Sequence, residues 1–294
     1  MIDQNTKENI RRELIKFQSR TGSANQASKL LSISNAYVSF IVNGNHDMIS
    51  DAKWREIASK LGMRLGEAWQ HADTGTTLKM GSFFDDARLH GNVFGLYCHP
   101  GSGKTHFLEY YHTCHRHVIN VKCEGGITEK EILKRILSAC GKNKRKGTIC
   151  QLLQYVKDTL TKLNNPLIIF DEIEKASNKI FLLFIDLYNI LFKRAGIILI
   201  GTPNLLERID TGVERGTMGF NEVLSRLGGK LYAMPHCTVS DAFSVIRAQG
   251  ITDANDVAFL GNGALLSEDS DLVDMRIVER NVHAYKQKQL EAAA

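Results

Sequence analysis

The chain has 294 residues, 43% of them hydrophobic and 23% charged, with only four prolines. That composition supports one large or two moderate globular domains and excludes a disordered or fibrous chain. The formal net charge of +5 suits polyanionic partners but is too mild to mark a dedicated basic nucleic-acid binder. Six cysteines, Cys98, Cys114, Cys123, Cys140, Cys150 and Cys237, contain no CxxC pair, which fits a reducing compartment better than a disulfide framework. The most apolar helix-like run, FLLFIDLYNILF, is too short to span a bilayer and is broken by Asp186, so a soluble cytoplasmic protein with no membrane partner is expected.

Residues 1–70 read as four short helices. Ile10, Leu14 and Phe17 share a face of the first, which Gly22 stops, and Ala27, Leu30 and Leu31 mark the second. Ser34 stands at the start of a third helix that turns Val38 and Ile41 inward, and Ser50 at the start of a fourth that buries Trp54, Ile57, Ala58 and Leu61. The stretch NQASKLLSISNAYVSFIVNG puts a tight turn between the second and third helices and leaves Ser34, Asn35, Tyr37 and Ser39 on the exposed side. This is helix-turn-helix spacing, and it resembles the phage-repressor type of domain, whose second helix enters the major groove. Two readings stand: those short polar groups contact base edges and phosphates, or the module binds another protein.

After Trp69, QHADTGTTLKMG loses apolar periodicity and gathers Gly and Thr, so residues 71–80 read as a linker, with a second domain core over 81–237. Its first strand, NVFGLYCHP, runs into GSGKT, and HFLEYYHTCHRH follows with helical spacing. A Gly-rich loop between strand and helix is a phosphate cradle, although Cys98 stands where the pattern opens with Gly. Pro100, Gly101, Ser102, Gly103, Lys104, Thr105 and His106 would surround the phosphates of a nucleotide. In that arrangement Lys104 neutralises the β/γ charge and the Thr105 hydroxyl holds Mg²⁺.

The second chemical element is PLIIFDE, a buried strand ending in Asp171 and Glu172. Asp171 would bind the Mg²⁺ and Glu172 would polarise the attacking water. Between the two strands lie the strand-like run HVINVKC and two helices, the first opening on a capping box from Thr128 to Glu131. An additional strand there, and the absence of an Asn-Lys-x-Asp motif, point to ATP and not GTP. A further strand, GIILIGTPN, ends at Thr202, a group able to orient the attacking water.

These features resemble the AAA+ family, which implies an α/β core with a parallel sheet, followed over 238–294 by a small helical lid. The resemblance makes Arg226, in FNEVLSRLGGKLYAMP, an arginine finger reaching a neighbouring subunit's ATP, and Arg276, in DMRI, a second nucleotide sensor. The plainer alternatives are a helix-end cation satisfying carbonyls and a surface ion pair. HTCHRH gathers His112, Cys114, His115 and His117 but lacks zinc spacing.

Taken in order, the N-terminal helical module, HPGSGKT, LIIFDE, LIGT, LSR, DMRI and KRKG resemble the phage Mu B transposition protein family. That resemblance implies an ATP-dependent DNA-binding ATPase that oligomerises as a filament or ring on duplex DNA without sequence preference and presents it to a transposase. Lys142, Lys144, Arg145 and Lys146 form a basic cluster suited to DNA phosphates, or a solvated charged loop. A helix-turn-helix regulator with an AAA+ nucleotide switch and a replicative helicase loader are the alternative functions.

Overall fold

The structure is a computed structural model that describes residues 4–63, 69–142, 146–267 and 269–292. It divides into two compact units, Met1–Trp69 and Gln70–Ala294. Among the described residues no helix is long and apolar enough to cross a membrane.

The first unit consists of α1 (Gln4–Thr21), α2 (Ala24–Leu30), α3 (Asn35–Val42) and α4 (Asp51–Lys60). Ile10, Leu14, Leu31, Val38, Ile41, Trp54 and Ile57 form its core. Ser23 and Ser50 accept the amides of Gln26 and Lys53 and so cap α2 and α4, satisfying donors that a helix start otherwise leaves open. Ser34 occupies the cap position of α3 without a side-chain bond. Leu30 departs from expectation: it is 68% exposed, while Ser28 is buried. Ala27 and Leu31, four residues apart, set the inward face, and Leu30 lies about 100° around the helix from it.

The second unit starts earlier than the sequence suggests. Ten residues expected as linker are mostly the beginning of α5 (Gly75–His90), opened by a capping box between Thr74 and Thr77. The buried face carries Thr76 and Thr77 ahead of Met80, Phe84 and Ala87, so its first turn shows no apolar period. The Thr76 hydroxyl is satisfied by the carbonyl of Pro235 at 2.7 Å. Gln70, just before the helix, exchanges two hydrogen bonds with the Gln249 side chain.

From there the chain runs β1 (Val93–Tyr97), α6 (Lys104–Cys114), β2 (Val118–Lys122), α7 (Glu129–Ala139), α8 (Ile149–Leu160), β3 (Leu167–Asp171), α9 (Asn178–Leu191), β4 (Gly196–Gly201), α10 (Pro203–Glu214), α11 (Phe220–Arg226) and β5 (Leu231–Ala233). The strands form one parallel sheet in the order β2-β3-β4-β1-β5. Every residue of β3 and β4 is buried, as a parallel sheet covered on both faces requires. One face packs on Ile132, Val156, Phe184 and Ile209 from α7 to α10; the other packs on Phe84 and Leu108 from α5 and α6. The Thr128–Glu131 capping box is present. A helical segment of α12 (Val239–Ala248), α13 (Ala254–Asn262) and α14 (Met275–Ala292) closes the chain.

The strand that separates β1 from β3 in the sequence is β2, which lies at the sheet edge; in space they are separated by β4. Tyr97 at the end of β1 pairs with Gly201, and Asp171 at the end of β3 pairs with Ile200. The two strand ends are therefore level and about 9–10 Å apart, two strand spacings.

Packing around β4 is tight enough to test. A Cβ on Gly196 would stand 2.4 Å from the Ala87 carbonyl oxygen of α5, whereas one on Gly125 meets nothing within 4 Å. Gly196→Ala is expected to lower stability by about 1–3 kcal/mol in urea unfolding, and Gly125→Ala to stay within about 0.5 kcal/mol of the parent. Equal effects would contradict this packing.

Candidate functional site

The loop from β1 to α6 turns on two left-handed residues, Gly101 at φ +77° and Gly103 at φ +76°, a conformation that strains any residue with a Cβ. It delivers the first turn of an 11-residue helix, with Lys104 and Thr105 at its start, and the free amides there attract an anion. Cys98 explains why no leading glycine is needed. Among the described residues its backbone is not left-handed, its amide donates to the Gly201 carbonyl, and its thiol lies buried against the Met80 sulfur. The side chain thus points into the core under the loop, and burial pushes its pKa up to about 12.

Lys104 reaches across the gap between β1 and β3 and donates to the Asp171 carboxylate. Both side chains are largely buried. The oxygens of Asp171 and Thr105 are the hard donors that Mg²⁺ prefers, and Thr105 is exposed, so this pair fits the ion.

Glu172, the next residue, adopts φ +55°, a strained setting for a residue with a side chain. It accepts a hydrogen bond from Lys175 at 2.9 Å and lies 3.7 Å from Lys122 at the end of β2. The Lys175 bond is the main reason its pKa sits below the usual carboxylate value, with Lys122 adding to it.

Thr202 faces a partner that the sequence reading missed. Its hydroxyl and amide both donate to Glu174 Oε1, at 2.9 and 3.0 Å. A Cβ on Gly201 would meet Glu174 Oε2 at 2.2 Å, so glycine before Thr202 makes room for this carboxylate. The third acid of DEIE was the available signal.

The lid is tied to the loop. Met275 N–H donates to the Gly101 carbonyl at 2.8 Å, and the Asp274 carboxylate occupies the place a Gly101 Cβ would take, 2.3 Å away. Arg276 follows, exposed, with its amide bonded to Asp274. Pro100 is exposed and Ser102 buried, and Cys237 donates to the Ser102 carbonyl. The His106 ring lies 3.3 Å from His71, which stacks on Tyr110 with centroids 3.7 Å apart; burial is the first cause lowering the His106 pKa.

Arg226 does not project freely. Its guanidinium lies over Tyr188, 5.3 Å from the centroid, bonds Asn189 and pairs with Glu222 at 3.1 Å. In the first unit Ser34, Asn35 and Ser39 are exposed, while Tyr37 is half-buried with Lys53 over its ring. Lys142 and Lys146 are exposed between α7 and α8; Lys144 and Arg145 lie outside the described residues. His112, His115 and His117 each turn a ring nitrogen to a different backbone carbonyl, those of Val118, Tyr111 and Asn164.

Residues 88–209 match the protein family described as AAA domain. The chain is similar to a solved structure described as a DNA replication initiation factor, at 14% identity over 77% of this chain and 67% of that one, TM-score 0.47. It is similar to Drosophila ORC bound to DNA, at 11% identity over 74% of this chain and 54% of that one, TM-score 0.42. A third, Drosophila ORC bound to GC-rich DNA and Cdc6, gives 11% identity over 71% of this chain and 93% of that one, TM-score 0.38. No curated protein matches the sequence. The fold is α/β, with the parallel five-stranded sheet of an AAA+ P-loop ATPase.

The position of Cys98 has a chemical consequence. Iodoacetamide at pH 8 is expected to label the exposed Cys114 and Cys150 and to leave Cys98 and Cys123, both pushed up to about 12 by burial, unmodified. Mass spectrometry of the folded protein reads this; Cys98 labelled as fast as Cys114 would place its thiol outside the core.

Proposed function

We propose that this chain is an ATP-dependent DNA-binding ATPase that assembles on duplex DNA with little sequence preference and delivers that DNA to a transposase. The observation that carries the ATPase part is the convergence of Lys104, Thr105, Asp171 and Glu172 at level strand ends beside a two-glycine loop. In this reading ATP phosphates take Lys104 from Asp171, which is freed with Thr105 to hold Mg²⁺. Mg²⁺ held by these two residues would neutralise charge on the phosphates. Glu172 accepts the proton of the water that attacks the γ-phosphorus, the bond to the ADP oxygen breaks, and phosphate leaves. Thr202, held by Glu174, orders that water. Arg226 of a neighbouring copy stabilises the developing charge after leaving Glu222 and Asn189, and Arg276 senses the phosphates from the lid.

Glu172 is held between Lys122 and Lys175, each with more than half its side chain exposed. A base bound to two cations is a poor proton acceptor. DNA phosphates compete for such lysines, which gives a physical route to DNA-stimulated hydrolysis. The polar residues of α3 (Ser34, Asn35, Tyr37, Ser39) and the basic segment from Lys142 to Lys146 supply further DNA contacts.

Electron microscopy with random-sequence duplex is expected to show regular assemblies with ATP, none with ADP, and none for Lys104→Ala. Binding confined to one sequence without assembly would move the function to a regulator. Glu172→Gln is expected to lower hydrolysis by about 100-fold or more while leaving assembly intact. Lys175→Ala is expected to raise the DNA-free rate and reduce the factor by which DNA stimulates it; an unchanged ratio would remove the lysine clamp from the mechanism. The transposase role is tested by strand transfer with an integrase-type transposase added to the protein on DNA; insertions are expected to fall in DNA bound by this protein.

A further inference from the structure

On the face of the second unit that carries α10, a cavity of about 370 Å³ is lined by residues that have no role in the reaction above, among them Arg208, Arg215, Asn178, Asn204 and Glu207, with Phe220 in its wall. Arg208 is half-buried, and its guanidinium stacks on Phe181 with 4.9 Å to the ring centroid. Its Nη1 donates to the Glu174 carbonyl and its Nη2 to the Asn178 side-chain oxygen at 2.9 Å. Both acceptors are neutral, and among the described residues Arg208 forms no ion pair within 4.0 Å. Burial lowers its pKa, with the Glu174 charge opposing that shift. A partly desolvated guanidinium whose bonded acceptors are neutral and whose nearest acting carboxylate forms no ion pair with it is costly, and an anion relieves that cost.

Arg215 closes α10, is exposed, and likewise has no ion pair among the described residues. Glu207 pairs with neither arginine, so two positive side chains face one negative one across the cavity. Asn178 and Asn204 come from the first turns of α9 and α10, helices of 14 and 12 residues; Ser177 leaves the first amides of α9 without a side-chain cap, while the start of α10 carries the Glu174 carboxylate on Thr202. The positive end of α9 therefore adds to the field.

We propose that this cavity is a second phosphate site, separate from the loop at 98–105, whose ligand is a phosphoryl group carried by a nucleic-acid backbone or by a small phosphorylated molecule. The exposed Arg215 guanidinium, and Arg208 once it exchanges its bonds to the Glu174 carbonyl and Asn178, offer the planar forks that phosphoryl oxygens accept from, and the volume exceeds what one carboxylate fills. The site also has a route inward. Arg208 holds the Glu174 carbonyl, and the Glu174 carboxylate holds the amide and hydroxyl of Thr202. A phosphate that draws on Arg208 acts on the strand end where hydrolysis is proposed. That coupling rests on the ATPase reading; the site itself does not.

The test uses the full chain in two arms. In the first, Lys104→Ala protein, shown to be folded by circular dichroism, is titrated with inorganic pyrophosphate by calorimetry, with and without Arg215→Gln or Arg208→Gln. In the second, the salt dependence of random-duplex binding with ATP is compared between parent and the two arginine variants. Loss of pyrophosphate binding supports the site and assigns it to a small phosphorylated ligand. A decrease of about 0.9 in the slope of log K against log salt for each contact removed supports it and assigns it to the backbone. No response in either arm overturns the proposal, as does a loss of self-assembly in Arg215→Glu with both phosphate arms unchanged, which would give the cavity to a carboxylate of a second copy. If Arg208→Gln unfolds the protein, the exposed Arg215 carries the test. Failure of ATP hydrolysis with a positive pyrophosphate arm would reject the ATPase reading and keep the site.

Discussion

The contact between Lys104 and Asp171 organises the second unit. Two opposite charges, both nearly out of water, stand on elements separated by a whole strand, and removing one partner of such a pair leaves the other uncompensated at a cost of about 3–5 kcal/mol. The sheet must therefore hold β1 and β3 level, and the continuous apolar runs of β3 and β4, covered on both faces, provide that rigidity. The ammonium that serves as counter-ion to Asp171 is also the one best placed to meet a phosphate. In the function proposed above, nucleotide binding would exchange one anion for the other, which moves charge between partners without exposing an unpaired one.

That exchange is not confined to the loop. Gly101 bonds the first turn of α14 through its carbonyl and has given its Cβ space to Asp274. A carboxylate so close to a phosphate cradle is a local repulsive element for any entering polyanion. A shift of the loop would therefore have to be shared with the first turn of α14, where Arg276 stands next in sequence. Loop and lid form one mechanical piece although some 170 residues separate them in the chain.

A second common theme is that groups suited to catalysis are held by partners in this state. Glu172 is occupied by lysines, Thr202 by Glu174, and Arg226 by Glu222, Asn189 and the ring of Tyr188. Each of these bonds is local to the C-terminal edge of the sheet or to the helices that leave it, and in the proposed reaction each would be exchanged for contact with a ligand or another molecule. Interactions of this exposed or half-exposed kind are weak individually, so their exchange is within reach of ordinary binding energies.

The Gly-rich loop, the acidic strand end, the Thr128–Glu131 capping box and the alternation of apolar strands with helices were legible in the amino-acid sequence, because each is a short-range pattern whose physics needs only neighbours in the chain. Glu174 was not, since its role depends on Thr202 from another strand and on the missing side chain of Gly201. The first turn of α5 was not, because buried threonines, Thr76 bonded to the distant Pro235 carbonyl and Thr77 within its own capping box, look polar in one dimension. Cys98 was visible as a departure, but only the direction of its side chain into the core showed why it is tolerated. Leu30 was read with Ala27 and Leu31 as marking the second helix, and the geometry of a seven-residue helix turned it out. Local hydrogen bonding and periodicity thus determined which elements exist, whereas the partners of the charged and polar groups were decided by sheet order and register, which bring together residues far apart in the chain.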